Sequence, residues 1–130
     1  MTQKRIMVVD DDQEFLQELT ETLQLSGYEV NPVVDACEAF PLATKIKPDL
    51  IVLDLKMKGM TGFEVANKLK NFTMTSTIPI IAMSGYFTAS EDDTLLSFFE
   101  INNYLRKPFN PLDIITKIES ALKEYKRKNG

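Results

Sequence analysis

Leu50-Ile51-Val52-Leu53 is an unbroken apolar run, with β-branched residues at 51 and 52, and it is closed by a carboxylate at Asp54. A run with no polar residue to turn outward reads as a strand buried on both faces, the environment at the centre of a parallel sheet. Such a strand needs cover above and below, so strands and helices must alternate along the chain. Asp54 then stands where the strand leaves the core and meets solvent, at the edge where open α/β sheets bind ligands. Beyond it, Gly59 and Gly62 mark a loop.

The remaining segments fit that demand. Arg5 to Val9 is a short apolar run ending in Asp10-Asp11-Asp12, and Phe15, Leu16, Leu19, Leu23 and Leu25 then mark an apolar helix face stopped by Gly27. Tyr28 to Val34 reads as a strand that Pro32 confines to the sheet edge. Asp35 caps a helix towards Lys47, in which Pro41 is expected to kink the first turns or delay the start, and Pro48 closes it. After Gly62 a short helix carries Phe63, Val65, Ala66 and Leu69 and frays into a Thr/Ser-rich loop at 73–77. Ile78 to Met83 is a fourth strand, ended by Ser84-Gly85. A helix over 90–101, a strand at Asn103 to Arg106 and a final helix over 110–127 complete the chain. Asn110 caps that last helix, with Pro111 first and Leu112, Ile115, Ile118 and Leu122 along one face. Five strands alternating with five helices predict a parallel sheet covered on both sides.

Bulk properties narrow the function. The 130 residues, 44% hydrophobic and 26% charged, suit one globular domain spanning 1–130 with no output domain visible. No run approaches the roughly 18 apolar residues of a membrane span, and no signal peptide is visible. Cys37 stands alone and reads as a packing residue, which agrees with a reducing, cytoplasmic compartment. A net charge of −4 argues against nucleic-acid binding, and the basic Lys123 to Lys128 suits a helix C-terminus. The chain has no histidine, which removes Ser-His-Asp and Cys-His mechanisms and the commonest metal ligand.

Polar residues recur at the carboxyl ends of the predicted strands: Asp10-Asp11 after the first, Asp54 after the third, Ser84 after the fourth, Lys107 after the fifth. In a parallel sheet these ends share one edge. Carboxylates gathered there repel unless a hard cation, Mg²⁺ or Mn²⁺, joins them. A lysine and a hydroxyl alongside suit phosphoryl oxygens. Each piece has a plainer reading when taken singly. Asp10-Asp11-Asp12 can cap a helix, Asp11 with Glu14 has capping-box spacing, and the others can be loop or surface groups. Joint placement at matching strand ends favours a site.

Val8-Val9-Asp10-Asp11-Asp12, Pro48 to Asp54, Gly59-Met60-Thr61-Gly62, Ile80 to Gly85 and Tyr104 to Phe109 together resemble, in order and spacing, the receiver domain of two-component response regulators. The likeness runs over essentially the whole chain and is to a single-domain, chemotaxis-regulator-like receiver. It implies a flavodoxin-like α/β fold with strand order 2-1-3-4-5 and the site at the switch point. It further implies Asp54 as phosphoacceptor, with Asp11, Asp54 and the Lys56 carbonyl on the metal and Asp10 acting mainly through water. Ser84 and Lys107 would contact the phosphoryl group, and Ser84 and Tyr104 would relay its arrival to the surface. The donor would be the phosphohistidine of a kinase or phosphotransfer protein, which fits a chain without histidine. A downstream protein would meet Tyr104 and the helices at 90–101 and 110–127, with Phe98 as an exposed apolar contact.

Lys58 replaces a usual proline, Ser84 a usual threonine, Gly85 a usual alanine, and Glu100-Ile101 a small pair. None removes a site residue. Lys107-Pro108 is expected to be cis, aiming the lysine at the site. Lys56 and Tyr86, two residues after Asp54 and Ser84, are expected to keep hydrolytic water from the phosphoryl group and prolong the phosphorylated state. The protein is then a signalling switch rather than an enzyme. The rival is a haloacid-dehalogenase-type phosphatase with Asp54 as nucleophile. That chemistry wants an acid where Lys56 stands.

Overall fold

The computed structural model describes residues 3–57, 59–85, 101 and 103–129. Its strands are β1 (Arg5–Val9), β2 (Glu29–Val33), β3 (Leu50–Asp54), β4 (Ile80–Ser84) and β5 (Asn103–Arg106). The described helices are α1 (Gln13–Leu25), α2 (Ala36–Ile46), α3 (Gly62–Lys70) and α4 (Pro111–Asn129). The strands form one parallel sheet in the order β2-β1-β3-β4-β5. The stretch 86–100, with the helix expected there and Phe98, lies outside the described residues, as does Lys58.

Alternation along the strands splits the core in two. Ile6, Val8, Leu50, Val52, Ile81 and Met83 face α1 and α4, where Leu16, Leu19, Leu23, Ile114 and Ile118 meet them. Met7, Val9, Ile51, Leu53 and Ala82 face α2 and α3 and pack on Ala39, Ala43, Val65 and Leu69. Every residue of β3 is buried, because its neighbours β1 and β4 and both helical layers leave no side open. Pro32 lies on the edge strand β2, where its missing N–H breaks no ladder bond to a further strand.

Helix ends follow the caps in the sequence, with corrections. Asp12, not Asp11, caps α1 by accepting from the Phe15 N–H at 3.2 Å, which leaves Asp11 out of the cap. Gly27, at φ +97°, ends α1, and the Tyr28 N–H reaches back to the Leu23 carbonyl at 3.1 Å. Leu25 is 90% exposed, since two residues past Leu23 is about 200° round the helix. Pro41 does not delay α2, which starts at Ala36 directly after its Asp35 cap. In α4 the buried positions are Ile114, Ile118 and Ala121, while Leu112 is 66% exposed. Leu112 sits in the first turn, beside its Asn110 cap, before the helix reaches the sheet. Cys37 is exposed rather than packed. The 73–77 loop is tied down instead of frayed: buried Thr75 donates its hydroxyl to the Leu69 carbonyl at 2.6 Å.

Gly62 fastens the loop after β3. Its N–H donates to the Leu55 carbonyl at 3.1 Å, and a Cβ added there would stand 2.6 Å from Leu55 Cα and closer still to the Asp54 carbonyl oxygen. Only a residue without a side chain lets α3 start so close to the end of β3. Gly62→Ala is therefore expected to lower unfolding free energy by about 2–3 kcal/mol, read from urea denaturation. An unchanged midpoint would show that the backbone gives way freely.

Candidate functional site

Register decides which polar groups meet. Val9 pairs with Leu53, Leu53 with Ala82 and Ala82 with Tyr104, so Asp10 and Asp54 each lie one step beyond a paired row on adjacent strands. The main-chain ladder continues past the strand ends. The Asp10 N–H donates to the Val33 carbonyl at 3.0 Å, that of Leu55 to Met83 at 3.0 Å, and that of Lys107 to Ser84 at 2.9 Å. The side chains of the site are thus carried on backbone that is fixed by hydrogen bonds rather than on free loop.

Asp10 is 0% and Asp54 4% exposed. Asp10, Asp11 and Asp54 each offer a carboxylate oxygen, and these atoms lie within 4.8 Å of one another. Lys107 reaches into the group: its Nζ is 2.6 Å from Asp10 Oδ2 and 3.6 Å from Asp54 Oδ2. The peptide between Lys107 and Pro108 is cis, as expected. Two backbone amides hold the acids from the other side, Asp12 N–H donating to Asp10 Oδ1 at 2.9 Å and Lys56 N–H to Asp54 Oδ1 at 3.1 Å.

These forces do not balance at Asp54. Burial and the neighbouring Asp10 carboxylate push its pKa from 3.8 up to about 6, against the Lys56 amide and Lys107, which pull it down. A cation relieves that repulsion. Oxygens bound to Mg²⁺ at about 2.0–2.1 Å stand at most about 4.2 Å apart, so small rotations of three carboxylates within 4.8 Å of each other close the set. The donor set fits a hard divalent ion.

Ser84 is fully buried at the end of β4. It lies in register with Arg106, two residues along from the paired Ala82 and Tyr104. Ser84 and Tyr104 therefore share the sheet face that packs on α2 and α3, and Tyr104 is half-buried against that cluster. A Cβ at Gly85 would meet Lys107 Cβ at an ordinary 3.9 Å, so glycine is not demanded there by space. The Lys56 side chain is exposed, while Tyr86 falls outside the described residues. Phe15, first read as core, does more. Lys107 Nζ lies 4.1 Å from its ring centroid, and Phe109 meets the same ring edge-on at 5.8 Å. Helical periodicity alone did not separate it from Leu16.

The fold and site define a class: a doubly wound parallel sheet with carboxylates and a lysine at the switch point beside β1 and β3. Comparison with known proteins agrees. Residues 6–119 match the family described as the response regulator receiver domain. The phosphate regulon transcriptional regulatory protein PhoB of Pseudomonas aeruginosa is 30% identical over 95% of this chain and 53% of its own length. The transcriptional regulatory protein PrrA of Mycobacterium tuberculosis is 35% identical over 95% and 52%. The chain thus spans about half the length of these relatives. Among solved structures, a CheY-like receiver domain protein from Methanospirillum hungatei superposes with a TM-score of 0.92 at 28% identity, covering 98% of this chain and all of that one. Chemotaxis protein CheY4 of Vibrio cholerae gives 0.86 at 29% identity, covering 92% and 99%. The chain belongs to the response regulator receiver domain family of two-component signalling.

Because the folded domain holds the Asp54 proton more tightly than the unfolded chain does, this group's contribution to stability falls as pH rises from 3.8 towards about 6 and stays low above. With chelator present, Asp54→Asn is expected to be more stable than the parent at pH 7.5 by about 1–3 kcal/mol. The difference should shrink to nothing near pH 4. Denaturation at the two pH values checks this, and a pH-independent difference would rule out the carboxylate's charge as its origin.

Proposed function

We propose that the protein is a phosphorylation-dependent switch in which Asp54 accepts a phosphoryl group from a phosphohistidine on a histidine kinase or phosphotransfer protein. The observation that carries this reading is the buried Asp54, crowded by Asp10 and spanned by Lys107, at the carboxyl edge of the central strand. At neutral pH a carboxylate with a pKa of about 6 is mostly ionised and able to attack. Its oxygen bonds to phosphorus as the phosphorus–nitrogen bond of the donor breaks. The electron pair leaves on the imidazole nitrogen, which takes up a proton.

Asp11, Asp54 and the Lys56 carbonyl would hold a Mg²⁺ or Mn²⁺ ion, with Asp10 acting through water. The ion, when bound, offsets the repulsion between the incoming phosphoryl group and the acids. Lys107 would exchange part of its Asp10 contact for a phosphoryl oxygen, and the Ser84 hydroxyl would donate to another. Since Ser84 and Tyr104 share one sheet face, a shift of Ser84 towards the phosphoryl group opens space that Tyr104 can fill. A downstream protein would read that change beside β5 and α4, together with the segment 90–101, of which 90–100 lie outside the described residues.

We read residues 1–130 as a single receiver domain. Among the described residues no helix is long and apolar enough to cross a membrane. The lone cysteine suits a reducing compartment, and we place the domain in the cytoplasm. The matched relatives are named as transcriptional regulators. For this segment, with a net charge of −4, we propose protein partners and no nucleic acid.

Incubation with acetyl phosphate and Mg²⁺ should add one phosphate by mass spectrometry, and the adduct should vanish with chelator and in Asp54→Asn. Equal labelling of that variant would overturn the assignment. Sustained turnover of p-nitrophenyl phosphate would favour the phosphatase reading instead.

Lys56 is expected to slow loss of the phosphoryl group, because an ammonium has only donors to offer and cannot hold the attacking water through an acceptor. Lys56→Asn should speed first-order decay of the purified phosphoprotein, by about three- to tenfold, up to about 1.4 kcal/mol of barrier. Decay no faster than the parent's would remove Lys56 from this role.

A further inference from the structure

Opposite the acidic site, at the amino-terminal ends of the strands, the structure holds a second concave surface. A cavity of about 580 Å³ lies between the segments leading into β1, β3 and β4 and the last turns of α4. Its volume falls in the range of small-molecule sites. Lys4, Lys47, Lys123 and Lys126 line it, and among the described residues none of these has an ion-pair partner. The lining contains one carboxylate, Asp49, whose Oδ2 already accepts the Arg5 backbone N–H at 2.7 Å. In a chain whose acids outnumber its cations, 19 to 15, an unpaired basic cluster runs against the overall sign. Pro48, Ile78, Pro79 and Leu122 add apolar surface to the same lining.

Two requirements fix the occupant. Several ammonium groups round one cavity repel each other until an anion of more than one charge sits among them. An apolar surface adds affinity only for a ligand with a flat or apolar body, which inorganic phosphate lacks. We propose that this cavity binds an organic polyanion of nucleotide size, its phosphates on the lysines and its ring system on the apolar lining. The site lies at the far end of the strands from Asp54 and shares no lining residue with the acidic edge.

ATP is the probe, with tripolyphosphate and adenosine as its charged and apolar halves, titrated calorimetrically into the full chain. Buffer without divalent ions keeps the acidic edge repulsive to the two polyanions. ATP should bind at least about tenfold more tightly than tripolyphosphate, and Lys123→Glu with Lys126→Glu should weaken it by at least about tenfold. Both positions are exposed on α4, so the fold should survive. Lys47→Asn, at a left-handed position of φ 47° that asparagine tolerates, gives a second variant that should also weaken binding. Equal affinity for ATP and tripolyphosphate would overturn the proposal, as would absence of binding at millimolar ATP. Binding to phosphatidylglycerol vesicles without binding to ATP would reassign the cluster to a membrane surface and overturn it too.

Discussion

Asp10 and Asp54 lie side by side on adjacent strands, out of water, with one ammonium group between them. That crowding shapes the rest of the functional edge. Lys107 can reach both acids only because β5 ends beside β4, where the Lys107 amide is fixed to the Ser84 carbonyl. The Phe15 ring then covers the lysine head and is itself held edge-on by Phe109. Even so, Lys107 and the Lys56 backbone amide leave Asp54 with a pKa of about 6. The folded domain therefore carries an unrelieved repulsion that a divalent cation or a loss of charge at Asp54 would release.

The neighbouring triad of acids divides its labour by position rather than by residue type. Asp12 caps α1, Asp10 is buried against Lys107, and Asp11 joins the acidic group from its more open side. Three identical side chains in a row thus do three different things. The difference arises because a chain leaving a strand for a helix turns each successive residue in a new direction.

The same logic links the site to a surface that a partner could read. Sheet alternation puts Ser84 and Tyr104 on the face packed by α2 and α3, whereas Asp10 and Asp54 continue the alternation of the residues facing α1 and α4. A change at the strand ends can therefore be felt on both sides of the sheet. The basic cavity at the other end of the strands shares no residue with this edge, so each end of one sheet has its own electrostatic character.

Much of this was legible in the residues. The unbroken apolar run before Asp54 required a doubly covered central strand, Pro32 required an edge, and Asp35 and Gly27 set helix ends, because each of these signals is local and acts through backbone geometry. The polar strand ends, ordered along the chain as they are, pointed to one acidic site. What the sequence left open was side-chain direction. Periodicity placed Leu25 and Leu112 in the core when both face solvent, and Cys37 in packing when it is exposed. It could not tell that Asp12 rather than Asp11 makes the cap, that Phe15 covers Lys107, 92 residues later in the chain, or that lysines from three distant segments line one cavity. Those outcomes depend on the register of parallel strands and the approach of helices from elsewhere, and only the closed tertiary structure decides them.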